Sequence, residues 1–231
     1  DLVRPFAGLR PAPDRAADIA APPYDVVNTD EARELAAGKP FCFFHVSRAE
    51  IDLPPETDPY AAEVYETAAK NLQSFEQSGA LIRDPAPCFY IYRITAGGQS
   101  QTGVAVSASV QAYTENRIKK HELTRPAKED DRVRQIEAVN SITGPVFTVH
   151  RASAELATLF GAVTSGVPDA DADGIGGALH ELWVVSEAAT VASIGALLNA
   201  MDALYIADGH HRSAAGGRIA ASRAAANPYH D

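Results

Sequence analysis

The stretch LYIADGHHRSAAGGRIAASRAA, residues 204–225, decides how this chain is read. Its first four residues form an apolar run of strand length, a buried strand over 204–207, and the alanine-rich segment from His211 onward has the character of a helix. Asp208, Gly209 and His210 make the turn between them. The first amides of a helix have no partner in their own backbone and carry the positive end of its dipole, so an anion docks there favourably. His210, His211 and Arg212 add donors and positive charge at the same point. An ordinary capped start accounts for Asp208 accepting from first-turn amides and Gly209 allowing the turn. Five such residues in five positions exceed what a cap requires.

Composition bounds the rest of the chain. With 231 residues and 46% hydrophobic content, there is material for one large domain or two small ones, each with an ample core. The net charge of −10 and pI near 5.1 disfavour direct nucleic-acid binding but leave room for a local basic site. No run approaches the roughly 18 consecutive apolar residues of a membrane helix, and no signal peptide is visible, so a soluble, cytoplasmic protein without membrane contact is expected. Cys42 and Cys88 have apolar neighbours in expected strands and no CxxC spacing, which predicts two reduced core thiols. Without repeats or flexible linkers, the expectation is one α+β (mixed α/β) domain over residues 1–231, a mixed sheet with flanking helices.

Proline and arginine dominate residues 1–23, which predicts an extended surface path that presents Tyr24 and Asp25 after Pro22 and Pro23. A helix over 30–37 follows, capped by Thr29 and stopped by Gly38. FCFFHV at 41–46 reads as a strand buried on both faces, with His45 a satisfied core histidine. Asp58 and Pro59 open a packing helix that runs to Ser78, with Tyr60, Val64, Ala68, Leu72 and Phe75 on one face. AGGQ at 96–99 joins two β-rich segments, 87–95 and 102–113, as a hairpin. A helix over 129–142, a strand over 145–150, a strand over 178–185 and an apolar helix over 188–201 complete the order. Asp169, Asp171, Asp173 and Gly174 open like a calcium loop, but its twelfth position is His180 and Glu181 falls one place late, so an Asp-Gly turn is preferred.

Four residue sets carry the chemistry: Tyr24 and Asp25; Lys120, His121, Glu122 and Thr124; Lys128, Asp131 and Arg132; and residues 208–212. Phosphate handling needs cations and amides for the oxygens, a carboxylate for Mg²⁺, and a group to orient or deprotonate a nucleophile. Together the sets contain each of these. The zinc-protease, GxSxG, Walker and GxGxxG patterns are all missing, so a bound nucleotide would be held by a less common route.

Three motifs, PPYDV at 22–26, KKHELTRPAKEDDR at 119–132 and IADGHHRSAA at 206–215 with LWVV before the last, resemble the domain of unknown function 1015 family over most of the chain. That family is longer, which implies that these residues are the N-terminal part of a larger protein. DGHHR is also similar to the motif of the ParB/sulfiredoxin-like superfamily, which includes free serine kinases. This resemblance implies a ParB/sulfiredoxin-like strand-turn-helix in which Asp208, Gly209, His210, His211 and Arg212 bind nucleotide phosphate.

The expected activity is a small-molecule phosphotransferase using ATP or ADP with Mg²⁺ and acting on a small-molecule or nucleotide ligand. Asp208 would orient a histidine or hold the metal. Glu122, Asp25 or His121 would act as base, and Lys120, Lys128 and Arg132 would neutralise phosphate charge. The alternatives are a non-catalytic nucleotide-binding regulator of ParB-like type, or a phosphoester hydrolase with His121 or His210 as general base.

Overall fold

The glycine pair of AGGQ folds as the residues predict: Gly97 and Gly98 both take positive φ and join two long antiparallel strands. Around that hairpin a computed structural model describes residues 1–227. The elements run β1 (Val3–Arg4), β2 (Leu9–Pro11), α1 (Ala16–Ile19), α2 (Thr29–Ala36), α3 (Phe44–Ser47) and α4 (Ala62–Gln77). Next come β3 (Leu81–Arg83), β4 (Phe89–Ala96), β5 (Gln99–Ala105), β6 (Ser107–Ala108), α5 (Val110–Thr114), β7 (Ile118–Lys119) and α6 (Pro126–Val139). The order ends with β8 (Phe147–Val149), α7 (Ala154–Thr164), β9 (Ala170–Asp173), β10 (Leu179–Val185), α8 (Ala188–Asn199), β11 (Leu204–Asp208) and α9 (His210–Ala226). Residues 228–231, the end of the sequence beyond the last helix, lie outside the described residues.

The fold is α+β. Its strands divide among several sheets flanked by helices, the one around β11 mixed as expected and the largest with the antiparallel order β5-β4-β10-β9. Phe89, Ile91, Trp183 and Val185 of β4 and β10 pack with Leu156 and Phe160 of α7 and Ile194 and Leu198 of α8 in one core. Glu181 receives two hydrogen bonds from Arg93 across the strands, at 2.7 and 2.8 Å, while the Arg93 guanidinium covers the Trp183 ring at 4.7 Å. A second core forms where the Val64, Ala68, Leu72 and Phe75 face of α4 meets Val46 and Val139. This is the apolar stripe expected from the spacing, except that Tyr60 lies before the helix and is 57% exposed.

Several local expectations change in the folded chain. FCFFHV is not a strand. Cys42, Phe44 and Val46 are buried alternately as a strand pattern predicts, but the amides of Cys42, His45 and Val46 bond to Lys39, Cys42 and Phe43 in successive turns leading into α3. An apolar run this short satisfies a buried helical turn as well as a strand. The segment after β5 turns helical because the Ser109 hydroxyl accepts the Ala112 amide and caps α5. The cap of α2 is Asn28 rather than Thr29, in a reciprocal box with Glu31. The first 23 residues are not only a surface path: Leu2 and Val3 are fully or almost fully buried, and residues 16–19 form a helical turn. Cys42 and Cys88 are free and buried. Among the described residues, no helix is long and apolar enough to cross a membrane.

The third sheet positions the 204–225 stretch. β11 is central, parallel to β7 and antiparallel to β8. It is buried on one face only: Leu204 and Ile206 enter the core, while Tyr205 and its partner Val149 remain 41% and 43% exposed. Behind it α9 lies against α6. Successive contacts pair Arg125 with His211, Glu129 and Asp130 with Arg218, and Asn140 with Arg223, so the two helices run in the same direction with their N-termini together.

Candidate functional site

Gly209 makes the turn from β11 into α9 in the left-handed region, at φ 94° and ψ 32°, which an L side chain enters only at a penalty. A register shift between Ile206 and Asp208 re-aims the end of β11 just before that turn. Asp208 does not cap the helix as the ordinary reading has it. Its carboxylate, 71% exposed, is bound by Arg212 one turn later, and Arg212 also donates to the Pro145 carbonyl. Arg212 thus braces the start of α9 against the 144–145 turn, where Gly144 leaves space for its side chain.

Neither the start of α9 nor that of α6 is closed by a capping side chain. The two positive helix ends lie side by side, because the Arg125 amide, at the cap of α6, donates to His211 Nε2 at 3.0 Å. That bond leaves Nδ1 of His211 to carry the proton in the neutral ring. His210 is 4% exposed and held on both sides: its Nδ1 faces Glu122 Oε2 at 3.3 Å, and its Nε2 accepts the His121 amide at 3.5 Å. The His121 ring meets His210 edge to face at 4.5 Å and, among the described residues, makes no hydrogen bond of its own.

The first motif reaches the same place. The Arg132 guanidinium stacks 4.0 Å above the Tyr24 ring and is paired to Asp131, whose other oxygen accepts the Tyr65 hydroxyl at 2.8 Å. Burial pushes the Tyr24 phenol up; Arg132 pulls it down, Asp25 up, Arg212 down and Asp131 up. Burial and the Asp131 hydrogen bond push the Tyr65 phenol up as well.

Of the residues singled out in the sequence, Glu122, His121, His210, His211, Asp208, Gly209 and Arg212 share one locus, and Tyr24, Asp131 and Arg132 adjoin it. Lys120 is directed elsewhere, its ammonium 3.8 Å from the centre of the Tyr113 ring, which packs against Gly217 farther along α9. Lys128 and Asp25 are exposed. Sequence reasoning missed Arg125, whose contribution is a backbone amide that no side-chain motif announces. It also missed Arg48, Glu50, Tyr65 and Gln135, which line a cleft beside Tyr24.

No group of three or more His, Cys, Asp or Glu side chains among the described residues has the arrangement to hold a metal by itself. A family model described as "Protein of unknown function (DUF1015)" matches residues 3–231. No curated protein and no solved structure matches the chain.

Proposed function

The chain belongs to the DUF1015 family, and we propose that within it the paired starts of α6 and α9 bind the phosphate of a small molecule, with ATP or ADP and Mg²⁺ the leading ligand. The observation that carries this reading is that the starts of α6 and α9, neither closed by a capping side chain, lie side by side through the Arg125–His211 contact, with the Arg212 guanidinium at the start of α9. Unpaired amides and guanidinium groups are the donors that phosphate oxygens take best. Asp208, the exposed carboxylate at the turn, would be the residue to hold Mg²⁺, which would supply charge neutralisation for the phosphate.

The further step is phosphoryl transfer of the free-serine-kinase kind. An acceptor hydroxyl oxygen forms a bond to the terminal phosphorus as the bond to the leaving nucleoside diphosphate breaks, and a base takes the hydroxyl proton. His121 is favoured as that base, because its ring nitrogens are unengaged among the described residues while Glu122 already faces His210. His210 is a positioning residue, since both its nitrogens are occupied. Titration calorimetry with ATP, ADP and CTP, with and without Mg²⁺, tests the binding reading; no heat from any of them overturns it. A transfer assay on a panel of hydroxyl-bearing metabolites then separates a phosphotransferase from a regulator that binds without turnover, and phosphate release without an acceptor would mark a hydrolase.

A further inference from the structure

A strand at the margin of a sheet leaves backbone amides and carbonyls unpaired, and folded chains shield such margins with charge, proline, bulges, short length or a covering helix. β9, one margin of the four-stranded sheet, carries Asp171 and Asp173 and is packed by Ala16 of α1. β5, the other margin, has none of these devices. It is seven residues long, QSQTGVA, its ladder with β4 runs without a register shift, and residues 99–103 are exposed in succession. Every other marginal strand among the described residues is four residues long or shorter. From Ile94 to Thr114 the sequence has no charged residue, although the chain carries a net charge of −10.

The residues that flank a two-residue hairpin turn exchange hydrogen bonds, and the pattern then alternates along the ladder. Counting from Gly97 and Gly98, Ser100, Thr102 and Val104 therefore direct their amides and carbonyls away from β4. Such a row accepts another strand, and β5 is complementary to itself. Turned about a two-fold axis through Thr102, two copies pair antiparallel. Thr102 then opposes Thr102 of the partner subunit, Ser100 opposes Val104 of the partner subunit, and Gln101 opposes Gly103 of the partner subunit. A Cβ at Gly103 would meet nothing within 4 Å, and its cross-strand neighbour Tyr92 is 38% exposed, so the partner's Gln101 has open ground to cover there. No like charges face each other along the strand, and the nearest cation, Arg93, is already spent on Glu181. Two strongly acidic chains repel over most of their surfaces, and this uncharged margin is where they can close.

We propose that β5 is a homodimer interface, across which the four-stranded sheets of two chains join into one. The inference is independent of the phosphate reading. Sedimentation equilibrium of the full chain over a concentration series should show a monomer–dimer equilibrium. Thr102→Lys sets like charges against each other on the axis, and Thr102→Pro removes the amide aimed at the partner while sparing the β4 ladder. Each should raise the dissociation constant at least about tenfold, whereas Thr102→Val, neutral and β-branched, should leave it within about twofold. Thermal midpoints show whether each variant is folded. In the parent itself, hydrogen exchange at the amides of Ser100, Thr102 and Val104 should slow as concentration rises. A parent that is monomeric at every concentration overturns the assignment and leaves the margin to a foreign strand. A dimer that forms without protecting those three amides, or that persists unchanged in a folded Thr102→Lys or Thr102→Pro variant, overturns it as well.

Discussion

Replacing Gly209 by alanine probes both the turn and the group it braces. At φ 94° an alanine is held in the left-handed region, at about 1–2 kcal/mol. Loss of glycine's freedom in the unfolded chain offsets roughly 0.5 kcal/mol of this. The net loss is therefore about 1 kcal/mol, which for a chain of this size lowers Tm by about 2–4 °C. The new Cβ would stand 3.1 Å from Arg212 Nε and 3.2 Å from its Cζ, so the guanidinium must also move by a few tenths of an ångström. A displaced charge-assisted donor should reduce affinity for tripolyphosphate by about tenfold. Gly209→Asn separates the effects: asparagine visits the left-handed region readily, so stability should largely return, but its Cβ meets Arg212 as alanine's does. Thermal unfolding and calorimetry on the two variants provide the readouts. An alanine variant as stable as the parent refutes the backbone argument, and an asparagine variant that binds phosphate at parental strength refutes the role given to Arg212.

Three more outcomes follow from other parts of the molecule. His45 donates to Asp52 at 2.7 Å and lies 3.2 Å from the Lys39 carbonyl; the Asp52 hydrogen bond raises its pKa above 6.5, burial opposes this, and the Asp52 charge and Lys39 carbonyl add to the rise. Its contribution is complete below pH 6.5 and lost as pH rises through the folded value, so denaturation midpoints should fall as pH rises from 6.5 through that value in the parent and less so in His45→Gln. Glu181 titrates the other way: Arg93 holds its carboxyl below 4.5, so stability fades as pH drops from 4.5 through the folded value, and Glu181→Gln should flatten that acid limb in urea titrations. Ile206→Ala, at a side chain 1% exposed beneath the site, should cost about 2–5 kcal/mol by denaturant unfolding. The same variant, measured while still folded, should retain most of its phosphate affinity.

The strand-turn-helix at 204–225 was legible because its signals are local: an apolar run, a glycine at the turn, and alanines beyond it. The AGGQ hairpin and the face of α4 were legible for the same reason, each resting on a fixed spacing. FCFFHV was not, since alternate burial over six residues satisfies a tight helical turn as well as a strand, and only the hydrogen bonds to Lys39 and Phe43 decide between them. The cleft was invisible because its contacts are distant in sequence: Gln135 meets Val46 across 89 residues and Thr29 meets Glu50 across 21. Buried polar residues such as Glu50 and Gln135 carry no periodic mark. The three dense motifs were visible in the sequence, but that Arg125 of one meets His211 of another, and that Arg132 stacks on Tyr24, is a property of the fold.

The common direction of α6 and α9 means that two like electrical poles are pressed together at one end of the molecule. Their mutual repulsion raises the energy of the anion-free protein, and the Arg218 pairs with Glu129 and Asp130 lie along the helix flanks rather than at those ends. An anion bound there, as proposed, would discharge both poles at once. Occupancy and thermal endurance are thereby coupled, so that phosphate or sulfate should harden this protein against heat more than an equal ionic strength of chloride does.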